Sequence, residues 1–156
     1  MIRIEHAGPR PEVVGALLRD LSEWFGIEDA ITEYVTRSAD LPTYTAHIDG
    51  EPVGVLVLEH HNDRVAEMYV LAADRRFHRR GVGRALVAAA EADLTTAGTR
   101  YLQVKTLGAS HPSEEYAATR AFYRTLGYQD LEEFPADTLW PGNPCLLMVK
   151  HLGFAD

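Results

Sequence analysis

Apolar residues recur along this chain in two rhythms, one of period two and one close to 3.6. Ile2 and Ile4 alternate with polar residues and predict a short strand, "MIRIEHA", before Pro9 and Pro11 turn the chain. From Glu12 to Phe25 the residues Val13, Leu17, Leu18 and Leu21 fall at helical spacing, with Gly26 placed to stop the helix. Residues 28–38 predict a second, shorter helix. "TYTAHI" and "PVGVLVLEHH" flank Asp49-Gly50, a dipeptide suited to a tight hairpin turn, and "VAEMYVLA" adds a third antiparallel strand. Leu86, Ala90 and Leu94 then stack at four-residue spacing along a helix that ends near Thr96, before Gly98. "YLQVKTL" follows a strand and a helix, so a parallel crossover is the expected topology. Ser113, with Glu114 and Glu115 in the first turn, opens a helix that ends before Gly127. "YQDLEEF" and "CLLMVKHL" supply two last strands around "PADTLWPGNP". The order is roughly βααβββαβαββ: an α/β (α+β) fold with a mixed sheet flanked by helices.

Nothing along the chain breaks this pattern into repeats or linkers, so residues 1–156 are expected to form one domain. The opening residues lack the apolar core of a signal peptide, and no apolar run approaches the ~18 residues that span a membrane. A soluble cytoplasmic protein with no membrane partner is the expectation. Cys145 is the only cysteine, which excludes an intrachain disulfide, and no zinc-ligand spacing is present. It opens an apolar strand and reads as a buried small residue.

Charge changes the picture at one place. The formal net charge is −8, yet five arginines fall within residues 75–84 of "RRFHRRGVGRAL", together with Gly81 and Gly83. These glycines sit where a strand passes into a helix. Without Cβ atoms the backbone admits close approach of a ligand, and the first amides of a helix have no internal partners. Such a site suits phosphate oxygens, with arginines adding charge. No GK[ST] follows, so the turn is not a P-loop, and a dinucleotide fingerprint would need a third glycine where Leu86 stands. The alternative reading is a solvated basic loop. A nucleic-acid-binding role for the arginines runs against the acidic balance and the single short basic stretch.

"AEMYVLAADRRFHRRGVGRALVAAAE", followed by "TRAFYRTLGY", resembles the GNAT family of N-acetyltransferases, whose pattern is a strand, (Arg or Gln)-x-x-Gly-x-(Gly or Ala), a helix, and later an "FYxxLGF"-like segment. The resemblance runs from about Ala46 to Lys150 and implies acetyl-coenzyme A as co-substrate and an amine as acceptor. By that resemblance, amides of Arg79, Arg80, Gly81, Val82, Gly83 and Arg84 cradle the pyrophosphate. The Leu71 amide faces the thioester oxygen, and Ala73 is a second coenzyme contact. This chain departs from the pattern at His78, where Arg or Gln is usual, and at Tyr116, where Asn is frequent. The family often dimerises, though no segment here declares an interface.

Acetyl transfer to an amine needs a base, because an ammonium with pKa near ~10.4 is neutral only about once in a thousand at pH 7. Glu67 interrupts an apolar strand and shares, by alternation, a face with Tyr69 and Leu71; the resemblance makes it the base, and a structurally paired carboxylate is the alternative. The departing thiolate gains from a proton donor, and the resemblance assigns Tyr123, otherwise a core aromatic. By the same resemblance, Trp24, Phe25, Glu28 and Asp29 at the break between the first helices, Trp140 in the late loop, and Tyr69 are candidates for the acceptor site, with helix-end packing and a loop anchor as the alternatives. Glu59, His60 and His61 raise the question of a metal, but adjacent strand residues face opposite ways and no metal is expected. An excess of carboxylates favours a small cationic acceptor. A non-catalytic acyl-coenzyme A sensor and a protein-amine acetyltransferase are the alternatives.

Overall fold

In the computed structural model, residues 1–21 and 28–153 are described, so Trp24, Phe25 and Gly26 lie outside the described residues. The elements are β1 (Ile2–His6), α1 (Pro11–Arg19), α2 (Glu28–Ser38), β2 (Thr43–Ile48), β3 (Glu51–Asn62), β4 (Val65–Ala73), α3 (Val82–Thr96), β5 (Tyr101–Leu107), α4 (Glu114–Thr125), β6 (Gln129–Phe134) and β7 (Cys145–His151), with a short 3₁₀ turn at Arg75–Phe77. This is the expected order. The first helix is shorter than its apolar spacing suggests. It stops at Arg19, where the Leu21 N–H closes back onto the Leu18 carbonyl at 3.1 Å and Leu21 is buried beside the helix.

The seven strands form one sheet in the order β1-β2-β3-β4-β5-β7-β6. Every pairing is antiparallel except β4 with β5, which are joined through α3 as the crossover requires. Asp49 and Gly50 both take positive φ (51° and 80°), the backbone of a two-residue hairpin whose twist suits its strands. One face of the sheet carries α3, with Leu86, Ala90 and Leu94 packed onto Leu56, Met68 and Leu102. The other carries α1 and α2, with Leu17, Leu18 and Ile31 against Val55, Val57 and Val70.

Two local devices fix where α3 begins. The first is Gly54 on β3: a Cβ there would fall 2.6 Å from Val82 Cγ1 and 3.0 Å from Leu86 Cδ1, so the helix start lies directly on bare backbone. The second is Asp74, whose side chain caps the 3₁₀ turn by accepting from the Arg76 N–H at 2.9 Å and pairs with the Arg76 guanidinium at 2.8 Å. Arg76 also reaches Glu51 at 2.6 Å. Hydrogen bonding to Arg76 holds the Asp74 carboxyl below its ordinary value.

Gly54→Ala should therefore cost about 2 kcal/mol of stability in chemical denaturation, because a buried methyl must displace Val82 or Leu86. Asp74 has a depressed value in the folded state, so its contribution is complete at neutral pH and is lost as acid protonates it. Asp74→Asn should lower Tm by a few degrees at pH 7, and melts taken down to about pH 3 should show the gap from wild type closing.

Candidate active site

β4 and β5 part company halfway along. Their pairing covers Val65–Met68 and Tyr101–Val104, yet β4 continues to Ala73 and β5 to Leu107. The parting coincides with a β-bulge. On β3, Val57 faces Val70 and Leu58 faces Met68, so Tyr69 is an extra residue on β4. The bulge corrects the simple alternation. Glu67 and Tyr69 lie on the α2 face, but Leu71 and Ala73 turn to the α3 face, while Val70 and Ala72 join the core beneath α1 and α2.

A cleft of 890 Å³ fills the opening and passes through the sheet, lined by the start of α3, by α4 and by Tyr34 of α2. The β4 edge offers it backbone donors. The Asp74 N–H is bonded to the Val53 carbonyl at 2.7 Å, and successive N–H groups of an extended strand point to opposite edges. The N–H groups of Leu71 and Ala73 therefore point away from β3, toward the cleft that both residues line. The Ala73 carbonyl shares that direction and accepts from His78 Nε2 at 2.9 Å, so His78 braces the turn against the strand.

At one end of the cleft lie Arg79, Gly81, Val82, Gly83 and Arg84. Gly81 precedes α3 with φ of 84°, and the first intrahelical bond runs from the Ala85 N–H to the Gly81 carbonyl. The amides of Val82, Gly83 and Arg84 thus have no intrahelical acceptor and stand at the positive end of the helix. Arg80 departs from the expectation: its N–H is already donated to the Phe77 carbonyl at 3.2 Å, and it is not among the lining residues. The arginines divide between two tasks. Arg75 donates to the Asp20 carbonyl at the end of α1 and Arg76 pairs with Asp74 and Glu51, whereas Arg79 and Arg84 line the cleft.

Tyr123 projects from α4 into the other part of the cleft. It is 5% exposed, with its ring edge-on to Phe122 and Tyr128, and its hydroxyl has no hydrogen-bond partner among the described residues. Burial, then the neighbouring Tyr116 phenol, raises its pKa, so it stays protonated throughout the neutral range. Tyr34 is pushed up to about 12 by burial and the nearby Tyr69, and burial raises Tyr116 and Tyr69 as well. These four phenols and Trp140 make this part of the cleft aromatic, and Lys105 and Glu115 are charged residues that also line the cleft.

Glu67 lies just behind the point where the strands part. It does not line the cleft. Its carboxylate is 4% exposed as a residue, and all three of its contacts fall on Oε1: His61 Nε2 and Gln103 Nε2 at 2.8 Å each, and Lys105 Nζ at 3.4 Å. Oε2 has no partner among the described residues. Lys105, which does line the cleft, links the carboxylate to it. The structure does not bring Glu28 to the cleft: exposed, it pairs with Arg19 at 3.0 Å. Asp29 is likewise not among the lining residues, and Trp24 lies outside the described residues. Tyr34 and Lys105 escaped the sequence reading. Lys105 had a signal, since Gln103 and Lys105 alternate with the apolar Leu102 and Val104 along the strand, but its meaning needs the register with Glu67.

His60 and His61 do face opposite ways, yet Glu67 completes a group that one strand alone cannot reveal. Glu59, His61 and Glu67 place ligand atoms within 4.8 Å of one another, a spacing that fits a metal ion. Arg37 is ion-paired to Glu59 and Lys105 to Glu67, so both carboxylates already have cationic partners. Cys145 is fully buried, which pushes its thiol up to about 11 and keeps it un-ionised.

Known proteins share this fold. The family model "Acetyltransferase (GNAT) family" matches residues 11–128. An uncharacterized N-acetyltransferase of Chlorobaculum tepidum is 28% identical over 98 residues, which cover 62% of this chain and 56% of that protein, so the match spans little more than half of its length. A crystal structure from Desulfovibrio desulfuricans assigned to the GNAT family superposes with a TM-score of 0.79 at 18% identity, over 98% of this chain and all (100%) of that one. An aminoglycoside 6'-N-acetyltransferase complexed with coenzyme A superposes with a TM-score of 0.76 at 17% identity, covering 99% of each chain. A family model that spans most of the sequence, on a sheet split where that family's motif falls, identifies the chain as a member of the acetyltransferase (GNAT) family.

Proposed function

We propose that this chain moves an acetyl group from acetyl-coenzyme A to the nitrogen of a small cationic amine by direct attack, without a covalent enzyme intermediate. One observation carries the reading: a single cleft runs from unpaired amides at the start of α3 to an unpartnered, protonated phenol at Tyr123. The first suits the coenzyme's phosphates and the second suits a leaving thiolate. The solved relative bound to coenzyme A supports the choice of co-substrate.

The chemistry divides among named groups. The amides of Val82, Gly83 and Arg84, with the Arg79 and Arg84 side chains, hold the pyrophosphate. The Leu71 N–H, aimed into the cleft, stabilises the oxyanion that forms when the amine attacks the thioester carbon. Glu67 takes the proton that the acceptor must lose, through its free Oε2 and a short water relay. Tyr123 gives its proton to the coenzyme sulfur as the tetrahedral intermediate collapses. Tyr34, Tyr69, Tyr116 and Trp140 receive the body of the acceptor, since aromatic faces attract a cation and neutral phenols do not repel one.

Thiol release from acetyl-coenzyme A with spermidine, tyramine and kanamycin as probe amines tests the reading. With the amine that turns over fastest, Tyr123→Phe should lower kcat about 100-fold and leave coenzyme affinity unchanged. A correctly folded Tyr123→Phe protein with full turnover would remove Tyr123 from the role of acid. Coenzyme binding without thiol release to any amine would favour an acyl-coenzyme A sensor.

A further inference from the structure

The proposed acceptor is cationic, yet the cleft that would receive it carries little negative charge. Among the described residues that line it, the charged side chains are Arg79, Arg84, Lys105 and one carboxylate, Glu115. Lys105 is ion-paired to Glu67, which lies behind the cleft wall. The ring of Tyr69 already carries the Arg37 guanidinium, 4.3 Å from its centroid. Glu115 is therefore the lining group on which an entering positive charge can settle.

The helix directs this carboxylate inward. Glu115 stands in the first turn of α4, behind the Ser113 cap, and Ala118, Thr119 and Phe122 continue its stripe along the cleft at helical spacing. The residue is half-buried. Its Oε2 accepts from Ser113 Oγ at 3.3 Å, and among the described residues neither oxygen has a cationic partner. The α3 end of the cleft lies further along the helix. Phe122 packs on Gly83 there, about 10 Å of helical rise beyond Glu115.

An ammonium held by a carboxylate keeps its proton, and only the neutral amine attacks a thioester. A lasting pair with Glu115 is therefore productive only for a cationic group that takes no part in the reaction. We propose that Glu115 binds a second positive charge on the acceptor and so selects α,ω-diamines and polyamines over monoamines. The inference rests on the acetyltransferase reading and narrows its acceptor. Tyr123, the proposed acid, follows Glu115 after about 12 Å of rise along α4. The reacting nitrogen and the held one are separated by a distance on that order. The extended chain of diaminooctane spans it, and that of diaminopropane falls short.

The test uses the full chain and acetyl-coenzyme A, with diaminooctane, diaminopropane, octylamine and aminooctanoate as acceptors. Wild type should favour diaminooctane over octylamine by about 10-fold in kcat/KM, and over diaminopropane as well. Glu115→Gln keeps the size of the side chain and can still accept from Ser113. It should raise KM for diaminooctane about 10-fold with kcat unchanged, and leave octylamine turnover and coenzyme affinity as they were. Glu115→Lys should turn the preference toward aminooctanoate, whose far end is a carboxylate. A glutamate that only stabilises the helix start would give none of these changes in selectivity. Equal use of diaminooctane and octylamine, or a Glu115→Gln loss common to both, overturns the second-charge site and leaves the acetyltransferase reading intact. Weakened coenzyme binding in Glu115→Gln overturns it too, by setting the carboxylate against the coenzyme. Wild-type protein that releases thiol to none of these amines, nor to spermidine, tyramine or kanamycin, removes both readings.

Discussion

The separation of β4 from β5 after Met68 and Val104 is the constraint on which the rest of the site depends. A parallel pair that continued would consume the strand-edge amides and close the sheet. With the extra residue at Tyr69, β4 leaves its neighbour, turns Leu71 and Ala73 to the other face, and directs their N–H groups into open space. Both helices that complete the cleft inherit their places from this parting. β4 leads through the arginine turn into α3, and β5 leads through its own loop into α4, which carries Tyr123. One irregular residue thereby sets the mutual position of a helix end with unpaired amides and a phenol.

The arginine turn resolves the charge paradox of an acidic chain. Arg75 ties the turn to the end of α1, and Arg76 ties it to Asp74 and Glu51, so part of the positive charge is structural. The remainder, on Arg79 and Arg84, faces the cleft beside unpaired helix amides. Deeper in, charge is withheld instead: phenols raised by burial stay neutral, and the buried Glu67 is matched by Lys105 and hydrogen-bonded by His61 and Gln103. The site thus passes from an arginine-lined end to a mainly aromatic one, with Lys105 and Glu115 also in its lining.

Most of the fold was legible because its signals are local. Asp49-Gly50 dictates a hairpin, Ser113 caps α4 by accepting from the Tyr116 N–H, and Leu86, Ala90 and Leu94 mark the buried stripe of α3. Gly81 and Gly83 announced the helix start for the same reason. What escaped depends on register. No periodicity reveals that Tyr69 and His61 are bulged, and so the shared face assigned to Leu71 was wrong. The pairing of Glu67 with Gln103 and Lys105 crosses from β4 to β5, and that of Glu59 with Arg37 crosses from β3 to α2. Arg80 looked like its neighbours in sequence, yet its amide is spent within the turn.

Calorimetric titration of acetyl-coenzyme A into the pure protein, with ATP and NAD as controls, addresses the central claim most directly. The account predicts saturable one-to-one binding of the coenzyme that neither control reproduces, because it seats the coenzyme's phosphates on the unpaired amides at the start of α3 and its acyl-carrying arm in the cleft. Folded protein that gives no heat with the coenzyme, or responds alike to all three, would contradict it and reduce the turn to a basic loop.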